Sequence, residues 1–103
     1  MASSKAFLHF VLERLAGLGD IAYRPMMREY ILYYRGKIVG GIYDDRLLVK
    51  PVKSAVSHMR KAVYESPYEG AREMLLVENV ESADLAGLFR AMYDELPVSG
   101  KRK

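Results

Sequence analysis

Apolar side chains at Phe7, Leu8, Val11, Leu12 and Leu15 fall at helical spacing and predict an amphipathic helix over residues 4–16. Ser3 or Ser4 stands where an N-cap is needed, and Gly17 and Gly19 end the pattern. From Ile21 the period changes. Tyrosines and β-branched residues dominate up to Pro51, broken by two short turn signals, Arg35-Gly36 and Asp44-Asp45. The pattern predicts strands over 22–27, 29–34, 37–43 and 46–50, the last three forming an antiparallel meander. Gly36 supplies a positive φ in the first turn, and Asp44 and Asp45 tolerate the left-handed region better than most residues.

Beyond Pro51 the signals weaken. Ala55, Val56, Met59 and Val63 are only partly periodic and suggest a short helix over 53–63. Ser66-Pro67 and Glu69-Gly70 announce a loop, and Met74, Leu75, Leu76 and Val77 form a brief apolar run suited to a fifth strand over 72–78. A last helix is clearer: Leu85, Leu88, Phe89, Met92 and Leu96 share one face, Ser82 is the N-cap candidate, Asp84 suits the first turn, and Pro97 closes the element. The expected fold is α+β, a small antiparallel sheet of about five strands with N-terminal and C-terminal helices packed against it. One domain over residues 4–97 accounts for the pattern, with 98–103 as a basic, disordered tail.

The second strand carries apolar or aromatic residues on both alternating sets, Tyr30, Leu32 and Tyr34 on one and Ile31 and Tyr33 on the other. Either the fold covers both faces or a partner covers one. In the next strand, Gly40 and Gly41 lack side chains to pack. They imply a bulge or close packing, here read as packing against an aromatic ring from a neighbouring strand.

Composition bounds the chemistry. At 103 residues the chain holds one core, and with 50% hydrophobic residues it is too apolar for intrinsic disorder. It has no cysteine, which excludes disulfides, thiolate metal clusters and thiol nucleophiles and favours a reducing compartment. Phe7 to Leu18 is interrupted by His9, Glu13 and Arg14, so it does not read as a signal peptide or membrane span. A cytoplasmic protein is expected. The net charge of +3 resides in Lys101, Arg102 and Lys103: 16 basic residues less these three leaves 13, matching the 13 acidic ones.

The segment Met26-Met27-Arg28-Glu29, the aromatic strand Tyr30 to Tyr34, the Arg35-Gly36-Lys37 turn, the strand Ile38 to Tyr43, the Asp44-Asp45 turn and the strand Arg46 to Lys50 before Pro51 resemble the signature of the TfoX/Sxy N-terminal domain family. With the flanking helices, the resemblance covers residues 4–97. It implies an α+β domain from a family whose longer members promote competence gene expression in bacteria and carry a second, C-terminal domain similar to helical DNA-binding modules. A stand-alone domain without that part is expected here, and with it no autonomous transcription-regulator role. Arg28 replaces a glycine usual in the family, which alters the turn into the meander. The resemblance brings no catalytic residues.

Other chemistry reads weakly. His9 and His58 have no second histidine three or four residues away to complete a metal face, and no cofactor is expected. Asp44 and Asp45 read as turn formers rather than paired acids. No serine lies in a Gly-x-Ser-x-Gly elbow, so no enzyme is expected. The functional reading is a regulatory or protein-interaction module, acting as a homodimer or on a protein partner through Tyr30, Leu32, Tyr33, Tyr34, Arg28 and Arg35. The alternative is weak nucleic-acid binding through Arg24, Arg46, Lys50, Lys101, Arg102 and Lys103, with tyrosine rings stacking on bases.

Overall fold

The structure is a computed structural model that describes residues 4–27, 29–59, 61–78, 80 and 84–97. Arg28, the capping candidates Ser3 and Ser82, and the tail with Lys101, Arg102 and Lys103 lie outside the described residues. The chain runs α1 (Lys5–Arg14), β1 (Ile21–Met26), β2 (Glu29–Tyr34), β3 (Lys37–Tyr43), β4 (Arg46–Val49), α2 (Lys53–His58), β5 (Tyr64–Glu65), β6 (Met74–Leu76) and α3 (Leu85–Met92), which passes into a 3-10 turn, Tyr93–Glu95. Among the described residues the fold is α+β, with three helices and a six-stranded antiparallel sheet ordered β1-β2-β3-β4-β6-β5.

The meander forms where the sequence places it. Asp44 and Asp45 adopt φ of 53° and 55°, and Arg35 and Gly36 adopt 51° and 84°. Left-handed values at both central residues match the twist of the flanking strands, so each pair makes a tight hairpin. Asp45 also ties the sheet to α1: its Oδ1 accepts a hydrogen bond from the Ser4 backbone at 2.7 Å, while the Ser4 hydroxyl caps the helix by accepting from Phe7 N.

Cross-strand register sets the two faces. Tyr30 pairs with Ile42 and Leu32 with Gly40, then Ile42 with Leu47, Gly40 with Val49 and Val49 with Leu75. That face joins Leu8 and Val11 of α1, Leu15 at its C-cap, and Leu85, Leu88, Phe89 and Met92 of α3 in one core. The β2–β3 register shifts between Leu32 and Tyr33, so β3 carries an extra residue and Val39 is buried in the core together with Ile42. The other face presents Ile31, Tyr33, Ile38, Gly41, Tyr43, Leu48 and Leu76.

Several expectations change. The middle helix ends at His58 rather than at residue 63, because Met59 is extended (φ −101°, ψ 140°) and the chain beyond it joins the sheet, the Val63 carbonyl accepting from Leu76 N at 2.8 Å. This supplies the sixth strand, β5. Asp84, expected in the first turn of the last helix, is its N-cap and accepts from Gly87 N at 3.0 Å. Leu12 is only partly buried. The ring against Gly41 comes from Tyr43 of the same strand, not a neighbouring one: a Cβ built on Gly41 would lie 2.7 Å from that ring and 2.7 Å from the Tyr30 carbonyl. A Cβ on Gly40 would collide with the Leu48 carbonyl.

Candidate interaction surface

The aromatic strand is taken up largely by the fold itself. Leu32 is 0% and Tyr34 6% exposed. Tyr34 packs on Phe89 (centroids 6.5 Å apart) and edge-on to Tyr93 (5.4 Å). As candidate surface residues these two are corrected to core, because α3 and the turn after it cover that face. Tyr30 is half-buried and meets Tyr23 edge-on at 5.8 Å; Tyr33, on the opposite face, is also half-buried.

Among the described residues, Arg24, Arg35 and Arg46 do not converge. Arg24 is exposed on β1, separated from β4 by two intervening strands, so it stands about 14 Å from that strand at the usual spacing. Arg35 lies over the Tyr93 ring at 5.1 Å, on the helix side. Lys37 joins it there, its Nζ 4.1 Å from the same ring and donating to the Tyr93 carbonyl at 3.1 Å. Arg46, a candidate for nucleic-acid contact, is instead a clamp. Its Nη1 pairs with Glu65, its Nε donates to the Tyr43 carbonyl at 3.2 Å, and its Nη2 reaches the Pro67 carbonyl at 3.5 Å. A guanidinium suits this task because its planar fork serves several acceptors at once.

The clamp shapes the sheet face opposite the helices. It fixes the start of the 66–73 loop, which turns back through Ala71 N to Tyr68 O (3.1 Å) and Ser66 Oγ to Ala71 O (3.2 Å). Pro67 is buried and Tyr68 approaches Tyr43 at 6.5 Å. Between loop and sheet lies an open, mostly apolar cleft of about 430 Å³ with Ile31 and Ile38 in its lining and Lys50 at its border. Burial, with Tyr68 and Glu29 nearby, raises the Tyr43 phenol above its ordinary pKa of 10.0, so it stays a neutral hydroxyl. The sequence places a loop at Ser66-Pro67 and Glu69-Gly70 and a strand from Arg72, whereas the strand starts at Met74 and the loop includes Arg72 and Glu73. The proline and tyrosine side by side at 67 and 68 were the available signal that the loop packs on the sheet.

A second exposed feature is β1, at one edge of the sheet. Arg35 N donates to the Asp20 carbonyl at 2.9 Å. In an antiparallel ladder the inward-bonding rungs alternate, so Ala22, Arg24 and Met26 bond toward β2, while the backbone groups of Ile21, Tyr23 and Pro25 point to the open edge. Tyr23 and Met26 are exposed, and Met27, in the following turn at φ 51°, is 88% exposed. The opposite edge is β5, only two residues long.

Among the described residues, no group of three or more His, Asp and Glu could hold a metal ion, and no helix is long and apolar enough to cross a membrane. No family model matches the chain, and no solved structure matches it. Among curated proteins, an uncharacterized 12.7 kDa protein in the trpE 5' region of Spirochaeta aurantia is 28% identical over 105 aligned residues, covering 100% of this chain and 91% of that one.

Proposed function

We propose that the chain is a non-enzymatic, cytoplasmic regulatory module, related to the bacterial competence regulators it resembles, and that it acts as a homodimer paired through β1. The observation that carries the dimer is the six-residue edge of β1, which has no strand on its outer side among the described residues, together with exposed Tyr23, Met26 and Met27. Long unpaired edges invite strand addition, and proteins that avoid it shorten or charge them. The β5 edge is short; β1 is longer, although Arg24 and Pro25 put a charge and a proline on it.

Self-pairing fits the sequence of the strand. Centred on Tyr23, an antiparallel pair sets Tyr23 against its copy and Ile21 against Pro25. Proline lacks an N–H, but its carbonyl accepts from Ile21, so four inter-chain hydrogen bonds form. Arg24 lies opposite Ala22 rather than opposite its own copy, which avoids like charges in register. The basic residues support nucleic-acid binding less well, since Arg35, Lys37 and Arg46 have partners within the fold.

Light scattering across the micromolar range tests the proposal, together with Tyr23→Pro. That substitution removes an N–H that points away from β2, so the fold remains while the two central inter-chain bonds are lost. A wild-type dimer that dissociates on substitution is the expected result. A wild-type chain that is monomeric at about 100 μM, a concentration at which even a weak specific dimer forms, overturns the dimer. If that monomer binds DNA tightly at about 150 mM salt without residues 101–103, the nucleic-acid reading replaces it.

A further inference from the structure

We infer that the cleft between the sheet and the 66–73 loop is a binding site for a small amphipathic carboxylate, its apolar body on Ile31 and Ile38 and its carboxylate at Lys50 and Arg72. This site lies on the face opposite the helices and is independent of pairing through β1.

The cleft has the makings of a site rather than of a packing fault. Its volume, about 430 Å³, lies within the range of small-molecule pockets. Its outer wall is anchored where Arg46, itself bonded to the Tyr43 carbonyl, pairs with Glu65 at the start of the loop, and the loop closes on itself through Ala71 N to Tyr68 O and Ser66 Oγ to Ala71 O. Its floor is apolar and incompletely covered: Ile31, Ile38 and Met74 are each only partly buried, although they sit on three different strands of one sheet face. Covering that apolar surface would favour any ligand with a hydrocarbon or aromatic body.

Charge selects the head group. Lys50 and Arg72 border the cleft, and neither side chain has a hydrogen-bond or ion-pair partner among the described residues. Lys50 is partly buried, where an unpaired ammonium gains most from an incoming anion. Glu73 also reaches the border, so two cations face one carboxylate and the balance fits a single negative charge.

The position argues against a peptide strand as the occupant. Ile31, Ile38 and Met74 come from strands within the sheet, whose backbone groups are engaged in strand pairing. A peptide lying across them would bury its own amides without partners, a cost that a ligand with one polar end avoids.

Octanoate is a suitable probe, with octylamine and octanol as controls of the same length, followed through the amide nuclear magnetic resonance spectrum. Octanoate should produce saturable shifts around Ile31, Ile38, Lys50 and Met74, and bind about tenfold more tightly than octylamine, the scale of one charge-assisted contact. Lys50→Gln and Arg72→Gln, whose spectra also report whether each variant folds, should each weaken octanoate several-fold and leave octanol unchanged. Shifts confined to the helix side, equal affinity for the amine, no saturation by about 10 mM, or octanoate binding unaffected by both substitutions would each overturn the assignment.

Discussion

Replacing Arg46 with alanine removes the Glu65 ion pair and the donations to the Tyr43 and Pro67 carbonyls together. The Arg46 and Glu65 side chains are 30% and 36% exposed, so solvent screens the pair and its share is about 0.2–1 kcal/mol. The bond to Tyr43 contributes about 0.5–1.5 kcal/mol, whereas the 3.5 Å contact to Pro67 is at the geometric limit and adds little. The expected cost is therefore about 1–2 kcal/mol, or roughly 5–10 °C in melting temperature for a chain of this size. Urea denaturation followed by circular dichroism measures it. Arg46→Lys should recover little, because an ammonium cannot serve the same spread of acceptors. In a cycle with Glu65→Gln, the two losses should be non-additive by about 0.5–1 kcal/mol. If Arg46→Ala costs less than about 0.5 kcal/mol yet weakens DNA binding, the clamp is refuted and Arg46 returns to the nucleic-acid reading.

Leu88→Ala, in the core at the α3 face, should cost about 2–5 kcal/mol in denaturant titration, while Leu12→Ala, only partly buried, should cost less than half as much. Asp44→Gly should stabilise by a few tenths to about 1 kcal/mol, since it relieves a left-handed backbone at no loss of a side-chain bond seen here. Asp45→Gly, one residue on, gives up the bond to Ser4 N and should not stabilise to the same extent; equal effects in thermal melts would disprove the tie to α1. Tyr43 has a raised folded pKa, so its contribution is complete below the unfolded value and is lost as pH rises through the folded one. Stability should therefore fall above about pH 10, and Tyr43→Phe should remove part of that fall, as read by alkaline unfolding curves. Glu95 behaves oppositely: hydrogen bonds from Ser54 lower its pKa, so its contribution is present above the unfolded value and lost as pH falls through the folded one. Glu95→Gln should flatten the acid limb.

The meander was legible because its signals are local. Gly36, Asp44 and Asp45 fix where the chain reverses, and the residues between alternate or crowd in ways that strands require. What escaped depends on distant partners. Tyr64 and Glu65 are a strand only because Leu75 and Met74 lie beside them, and no two-residue segment declares that on its own. Arg46 looked like a free cation because Glu65 and Pro67 are 19 and 21 residues away. The double apolar pattern of β2 left two explanations open. The structure assigns Leu32 and Tyr34 to the helices, and it leaves Ile31 on the side where the cleft lies. The extra residue in β3 explains why its apolar positions do not alternate: Val39 and Ile42 reach one core across an interval that strict alternation forbids.

The tips of the two tight hairpins hold the helical ends of the chain, and this has a consequence for the order of folding. Asp45 secures Ser4 at a sequence separation of 41 residues, and Lys37 secures Tyr93 at 56. Hairpin closure spans a few residues and lasts microseconds, whereas these ties close long loops and gain nothing until a hairpin tip exists to receive them. The meander is thus the template and the two terminal helices are its late arrivals. Native-state hydrogen exchange should find the ends of α1 and α3 opening at lower free energy than the β2–β3–β4 amides, so that the chain comes apart from its two ends toward its middle.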